Sequence, residues 1–476
     1  MTTAIEPDGF ERDYPVLAYL SRYGVGHVQD LRDILEEAAA FRRHHIDPVA
    51  LDVDRQAMAD PCYVSDGVLE AAARQGWLTT MIPRLLGGRG LPLGATMMAL
   101  EELSVGCLGL ANLIAAHGLA LCTIAGTGDV QRMAEVCREL VLSSANGRPA
   151  LLSTALTEPS AGTDYEDEDL LRLARLSSEA RPAPGGYILG GRKVFISNGS
   201  IAETHVVIMP TDRKRPVESL AAFLVRRGTP GLSVGRVERK MGQKACPAAE
   251  LVFEDCFVPE DRRLVGAPVM RALDLALGAT RGAVGVFGAG VARAAFERAL
   301  AYARTHEHEG RPLIEQQWAQ FRLTEMRRNL MVARAAYVEA MLSNELFGLA
   351  SLLRPNALER AARLLPDAVI DRLPVERVVG SRLVGEAFAR AIAHMSEAMI
   401  GVSSALGAHG KVTGTDMGMR NCELALDLMG EDGLRHDRGV EKLFRDARLL
   451  QIYEGTNQLN RMEVHKRLIA GGVQRV

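Results

Sequence analysis

The chain has 476 residues, 47% hydrophobic, 24% charged and 5% aromatic, with 56 Lys and Arg against 59 Asp and Glu for a formal net charge of −3. That length is more than one hydrophobic core usually fills, which predicts two or three packed sub-domains. The charge balance excludes a nucleic-acid surface built on bulk positive charge, so no nucleic-acid partner is expected. The seven cysteines are scattered, without a C-x-x-C or a histidine at zinc-ligand spacing. Neither a disulfide framework nor a metal site is expected, and reduced thiols point to a cytoplasmic protein.

The N-terminal MTTAIEPDGFERDYPVL is acidic and lacks the apolar centre of a signal peptide. Up to about Ala150, apolar residues recur at helical spacing, as in LRDILEEAAAFRRHH and GVLEAAARQGWLTTMI, with the break IPRLLGGRGLPLG. Leu103 to Gly128 holds no Asp, Glu, Lys or Arg, but Ser104, Asn112, His117 and five glycines favour a buried core helix over a membrane span. From Leu151 to about Leu264, short runs such as GYILGGRKVFIS, THVVIMPT and ELVFEDCFV, punctuated by Gly, Pro and Asp, predict antiparallel strands. Long helices then return, GAVGVFGAGVARAAFERALAYARTH being one and LVGEAFARAIAHMSEAMIGVSSALGAHGKV another. The pattern predicts an α+β protein: a helical domain over 1–150, a β domain over 151–264 and a helical domain over 265–476.

Several generic signatures fail. GAGVARA has Gly288 and Gly290, but Arg293 stands where a dinucleotide loop needs its third glycine. GAHGKVTG lacks both the first glycine and the hydroxyl of a phosphate loop, at Ala405 and Val412. The G-x-S-x-G string Gly231–Gly235 reads into a strand without the helix a nucleophile elbow requires. His306 and His308 are two apart and do not share a helical face, which argues against a metal pair.

Three strings carry more. ALTEPSAGTD (155–164) offers Gly162 and the hydroxyls of Thr157, Ser160 and Thr163, fit either for a phosphate and a flat polar ring edge or for a polar turn. GRKVFISNG (191–199) places Phe195 and Ser197 two apart, hence on one face of a regular strand, as a ring-packing or cross-strand pair. RDARLLQIYEGTNQLNR (445–461) puts Glu454 between Tyr453 and Gly455, where an apolar helix ends in a glycine turn. A carboxylate among such neighbours loses hydration and gains basicity; a solvated helix-end glutamate is the alternative.

In this order, and with IPRLLGGRGL, ALEELS, KMGQKACPAAELVFEDCFVP, ATRGAVGVFGAGVARAAFERALAYA and GRPLIEQQ, the strings resemble the acyl-CoA dehydrogenase family over nearly the whole chain. The resemblance implies an N-terminal helical domain, a middle antiparallel β-barrel-like domain and a C-terminal four-helix bundle, assembled as a homodimer or homotetramer. It implies FAD as cofactor and an acyl thioester of CoA or acyl-carrier protein as substrate. An electron-transferring flavoprotein is the implied acceptor. Glu454 stands at the place of the base that removes the α-proton while the β-hydride leaves for the flavin. Leu156, Thr157, Thr163, Phe195 and Ser197 match flavin positions, Phe195 standing where tryptophan is usual. Thr456 and Gln458 match further FAD positions. Thr163, Thr280, Arg281 and Gly455 match substrate positions.

The departures cluster. The resemblance places His306, Gln317 and Gly430 at cofactor positions near the subunit interface, but His306 replaces the family's arginine. Glu309 replaces its phenylalanine, Asp427 its glutamine and Glu431 its second glycine. Added acid beside a diphosphate is unfavourable unless cations compensate, so weakened FAD binding is expected there. The C-terminal region is also roughly fifty residues longer than the simplest members, too long for an ordinary loop. A helical insertion at about 340–390, including LLRPNALERAARLLPDAVIDRL, is expected. Two other readings remain open on the sequence: a flavin monooxygenase or oxidase on the same fold, and a non-catalytic homologue.

Overall fold

The computed structural model describes residues 28–352 and 382–470. Most of the expected insertion, including most of LLRPNALERAARLLPDAVIDRL, lies outside the described residues, as does MTTAIEPDGFERDYPVL.

The N-terminal region is helical: α1 (Val28–Phe41), α2 (Ala50–Ala59), α3 (Asp66–Arg74), α4 (Leu93–Gly106), α5 (Leu108–Ala115), α6 (His117–Thr127) and α7 (Val130–Ala145). The charge-free stretch is thus three successive short helices. Cys107 breaks the run with extended backbone (φ −158°, ψ 112°). Leu108–Thr127 and, in the C-terminal region, Val269–Thr305 are apolar and long enough to cross a membrane. Both are packed inside the protein instead, 83% and 94% buried over the apolar window.

The central region holds β1 (Leu152–Ala155), the short α8 (Glu168–Leu173), β2 (Glu179–Ala183), β3 (Gly186–Ser197), β4 (Thr204–Pro210), β5 (Leu220–Arg226), β6 (Leu232–Val237) and β7 (Ala248–Pro259). They form two sheets, ordered β1-β4-β5 and β2-β3-β7-β6. Pairing in both is antiparallel except β1 with β4, which is parallel and corrects the all-antiparallel expectation. The chain leaves the first sheet after Ala155, builds β2 and β3, and re-enters at Thr204 in the same direction, a crossover that a hairpin cannot make. β4 explains its unbroken apolar run. Val206 and Ile208 pack with the helices around Ile124 and Leu140, while Val207 and Met209 pack with Leu251 and Phe253 of the second sheet. Both faces are buried, so both parities must be apolar. β2 escapes the sequence reading because it is short, partly polar and carries Pro182, as an edge strand tolerates.

The C-terminal region comprises α9 (Val269–Thr305), a hairpin of β8 (Glu307–His308) and β9 (Arg311–Pro312), α10 (Gln317–Phe347), α11 (Leu349–Leu352), α12 (Arg382–His394), α13 (Glu397–Met429), α14 (Val440–Leu450) and α15 (Asn457–Val464). The segment expected as one helix from Leu383 to Val412 is two. Ser396 is extended and caps α13 by accepting from Met399 N at 3.2 Å. The glycines that mimicked nucleotide loops serve helix packing. A Cβ at Gly285 of α9 would lie 2.5 Å from Gly410 O of α13, and one at Gly418 would lie 2.7 Å from Gly288 O. The two longest helices therefore touch backbone to backbone.

Candidate active site

Glu454 lies in the turn between α14 and α15. Glu454 (φ 51°) and Gly455 (φ 76°) are both left-handed, a conformation that costs a non-glycine residue on the order of 1 kcal/mol or more and persists only when neighbours enforce it. Gly455 is required twice over, since a Cβ there would lie 2.5 Å from Glu166 Oε2. The enforcing groups are identifiable. Asn460 Nδ2 donates to the carbonyls of Glu454 (3.2 Å), Gly455 (3.0 Å) and Thr456 (3.0 Å). The buried Lys411 ammonium donates to Gly455 O as well. Thr456 then caps α15, its hydroxyl accepting from Leu459 N at 3.2 Å. With the carbonyls drawn inward, the Glu454 and Gly455 amides donate to no group among the described residues.

The Glu454 carboxyl faces a cavity of about 80 Å³ whose wall includes Tyr453, Thr280, Trp77, Met97 and Phe287. Its Oε2 is buried without a hydrogen-bond partner. Burial raises its pKa to about 7; the nearby Glu166 carboxylate adds to the rise, and the Thr280 hydroxyl, Lys411 and Arg281 oppose it. Arg281, almost fully buried, pairs with Glu166 at 2.8 Å and reaches Ser404 Oγ at 3.3 Å. Ser404 in turn donates to Glu463 at 3.1 Å. Thr280 and Arg281 are consecutive on α9 and divide the work. Thr280 lies on the cavity wall and Arg281 anchors the carboxylate beneath.

The two β-domain strings meet. Val194 N donates to Thr157 O at 2.8 Å, and Lys193 Nζ donates to Leu156 O at 2.8 Å. Lys193 also holds Glu158 at 3.1 Å, both side chains having no solvent exposure. Glu158 further accepts from Tyr165 OH (2.5 Å), Ser177 N (2.7 Å) and Ser178 N (3.1 Å). Phe195 and Ser197 are both solvent-accessible, on either side of the buried Ile196. The β3–β7 register slips between Lys193 and Ile196, and Phe195 takes φ 59°, so Lys193 and Val194 are both buried and Phe195 is 61% exposed. A bulge, invisible to a period-two reading, turns the ring outward. Thr163 opens a single 3-10 turn ending at Glu166, which ties this loop to Arg281.

Gln458, exposed, sits in the first turn of α15. His306, Gln317 and Gly430 come together elsewhere, where α9 ends, α10 begins and α13 ends. The His306 ring stacks on Tyr302 with centroids 3.6 Å apart and lies 3.9 Å from Asp432. Glu309 and Gly310 form the exposed turn of the β8–β9 hairpin, both with positive φ. Asp427 is answered by Arg322 at 3.6 Å, and Asp432 by Arg438 at 3.8 Å and Arg435 at 3.9 Å. Arg322 thus answers one acidic departure, Asp427, whereas Arg435 and Arg438 answer Asp432.

Sequence reasoning assigned no role to Glu166, Glu158, Lys193, Asn460 or Lys411. A charged residue inside an apolar or glycine-rich string, as Lys411 is in GAHGKVTG, was the available signal. Asp54, His436 and Glu441 bring their ligand atoms within 4.8 Å of one another, but Arg445 already binds both carboxylates at 2.7 Å.

For FAD, the residues fit the ring end: an outward aromatic at Phe195 with Ser197 beside it in sequence, and the part-exposed Thr157 and Thr163 on the loop that β3 pins. Such a constellation, together with a desolvated carboxyl in a helix–sheet–helix chain, fits a flavin-dependent oxidoreductase. Family models for the acyl-CoA dehydrogenase N-terminal, middle and C-terminal domains match residues 29–141, 153–256, and 270–351 with 376–469. Among curated proteins, the chain is 28% identical over 443 residues to the cyclohex-1-ene-1-carbonyl-CoA dehydrogenase of Syntrophus aciditrophicus, covering 92% of this chain and 89% of that one. Among solved structures it matches butyryl-CoA dehydrogenase from Megasphaera elsdenii (TM-score 0.73, 23% identity, 94% and 99% covered). It also matches a chain described under the electron transferring flavoprotein of Acidaminococcus fermentans (TM-score 0.72, 25% identity, 94% and 99% covered). The chain belongs to the acyl-CoA dehydrogenase family, a family of FAD-dependent oxidoreductases.

Proposed function

We propose that this protein removes the α-proton and the β-hydride of an acyl thioester, carried by CoA or an acyl-carrier protein, to give the trans-2-enoyl thioester. The observation that carries the reading is Glu454: a buried carboxyl on the cavity wall, its pKa raised to about 7, with an oxygen that no protein group occupies. A base of that strength is half ionised near neutral pH and still binds a proton well. The weakly acidic α-proton needs the thioester carbonyl polarised as it leaves, and the undonated amides of Glu454 and Gly455 supply donors on the same turn. Lys411 and Asn460 act as positioning residues by holding the carbonyls of that turn away from the substrate oxygen.

FAD, when bound, accepts the β-hydride. Leu156, Thr157, Thr163, Phe195 and Ser197 would hold its ring, and Thr456 and Gln458 would meet it from α15. His306, Gln317 and Gly430 would receive the cofactor's far end across a homodimer or homotetramer interface, with Arg322 offsetting the acid at Asp427. An electron-transferring flavoprotein is the proposed acceptor. The test is anaerobic mixing of the FAD-loaded protein with short acyl thioesters. Bleaching of the flavin with formation of the enoyl thioester is expected; an unchanged spectrum across straight, branched and alicyclic acyl groups would refute the reading.

A further inference from the structure

The cavity that Glu454 enters lies where α4, α6 and α9 meet, and its volume is about 80 Å³. A cavity of about 150 Å³ accepts a benzene ring, so this one has room for about half as many carbons, three or four. Large side chains in the wall account for the small size. Trp77, Met97 and Phe287 all line it, and none is more than 4% exposed. Along α9 the wall runs from Thr280, whose hydroxyl bears on Glu454, to Phe287, about 10 Å further at 1.5 Å per residue. Helical side chains lean toward the N-terminus, so the Phe287 ring shortens that run. Met97 reaches across from α4. Its Cε lies 3.3 Å from where a Cβ on Gly282 would stand, and Gly282 is only about 3 Å along the axis from Thr280.

Charge narrows the ligand further. Glu454 is the one acid in the wall, and no Lys or Arg among the described residues lines it. Burial keeps His117 neutral by pushing its pKa down to about 4, and keeps Tyr453 neutral by pushing its pKa up. A carboxylate at the end of the acyl group would therefore lose its water without gaining a counter-charge. An ammonium there would pair with Glu454 and occupy the base.

Proton removal by Glu454 puts the α-carbon at the start of the cavity and leaves the thioester carbonyl outside, at the amides of the turn. Resting on the function proposed above, we infer that the acyl group is short and uncharged, about four or five carbons including the carbonyl, with Trp77, Met97 and Phe287 setting the limit. Specificity is set by the room these three side chains leave.

The test uses pantetheine thioesters, whose arm is common to CoA and carrier proteins. Butyryl, pentanoyl, hexanoyl, octanoyl and glutaryl groups are compared in the FAD-loaded protein. Flavin reduction under turnover gives kcat/KM, and quenching of Trp77, itself in the cavity wall, gives binding apart from turnover. Butyryl is expected to exceed octanoyl by about a hundredfold or more in kcat/KM, since one surplus methylene in a closed apolar pocket is worth about tenfold or more. Glutaryl should fall at least about tenfold below pentanoyl, its uncharged equal in length. Met97→Ala should raise octanoyl relative to butyryl by about tenfold or more, and the gentler Phe287→Leu should move it the same way by less. Octanoyl or glutaryl used as well as butyryl by the wild-type protein would overturn the inference and leave the dehydrogenase reading standing. A preference for butyryl that neither variant moves would overturn the limit assigned to these side chains. Tight binding of butyryl with no flavin reduction by any thioester would overturn the dehydrogenase reading alone, and failure to bind any of them would overturn both.

Discussion

Two stretches of the same helix, α9, make opposite use of charge. At Thr280 and Arg281 it passes beneath Glu454, and the ion pair there is nearly free of solvent: Arg281 and Glu166 are 2% and 7% exposed. About 39 Å further along, at 1.5 Å per residue, it ends at His306 among Asp432, Arg435, Arg438 and the Glu309 turn, all in contact with water. In the first region a carboxylate more or less changes the protonation of its neighbour, because little solvent screens it. In the second, the acidic replacement at Asp427 is met by the surface Arg322, and exposed charges are screened by solvent. Departures from the family pattern at the solvated end are therefore tolerable in a way that a change beside Glu454 is not.

The sharpest way to break this contrast is to remove the buried base. Glu454→Gln keeps shape and hydrogen-bonding capacity, so the flavin spectrum and thioester binding should persist while turnover falls at least about a thousandfold. Near-normal turnover would remove Glu454 from the chemistry.

Next in size is the other buried pair. Glu158→Gln leaves Lys193 enclosed without its counter-charge, and the loss of stability should be about 3–5 kcal/mol, read by denaturant or thermal unfolding. Glu158 is held down to about 2 in the folded protein, chiefly by Lys193 and its hydrogen bonds working against burial. Since that value lies below the ordinary 4.5, the stabilisation is complete above about pH 4.5 and is lost as pH falls through 2. The Glu158→Gln variant should lack that acid limb.

The comparison sharpens further with pH. Glu454 acts only when ionised, so the rate of flavin reduction should rise through about pH 7 and level off above it. Glu166→Gln removes a like charge and should move the midpoint to lower pH. A midpoint that does not move would mean that Glu166 serves only to anchor Arg281. The smallest effect belongs to the solvated end. Asp427→Asn combined with Glu309→Gln should tighten FAD retention by no more than about fivefold, in keeping with exposed charges. Unchanged or weaker retention would show that Arg322 and its neighbours already neutralise these acids.

Fold class and the three regions were legible because they rest on periodicity, and the site strings were legible because their order matched a family. The rest depended on features that sequence periodicity does not encode. The bulge at Phe195 defeats alternation, since one extra residue in β3 reverses the face of every side chain before it. The parallel β1–β4 pair depends on which strands meet after a crossover. The break at Ser396 rests on a single cap inside a continuous alanine-rich pattern. Lys193, Glu158, Glu166 and Asn460 look like ordinary surface residues in sequence. For Lys193, Glu158 and Glu166 the importance comes from partners 35 to 115 residues away, and for Asn460 from a turn that folds back on it from four to six residues before. Conversely Gly288 and Gly410, which looked like ligand-binding glycines, are spacers between helices.

The central claim is that Glu454 takes the α-proton. An acyl thioester with sulfur in place of the β-carbon has no hydride to give, so proton removal can be followed alone, as deuterium entering the α-position from heavy water. The FAD-loaded wild-type protein should catalyse that exchange with a rate rising through about pH 7, and Glu454→Gln should not catalyse it above background. Equal exchange by both proteins would contradict the account.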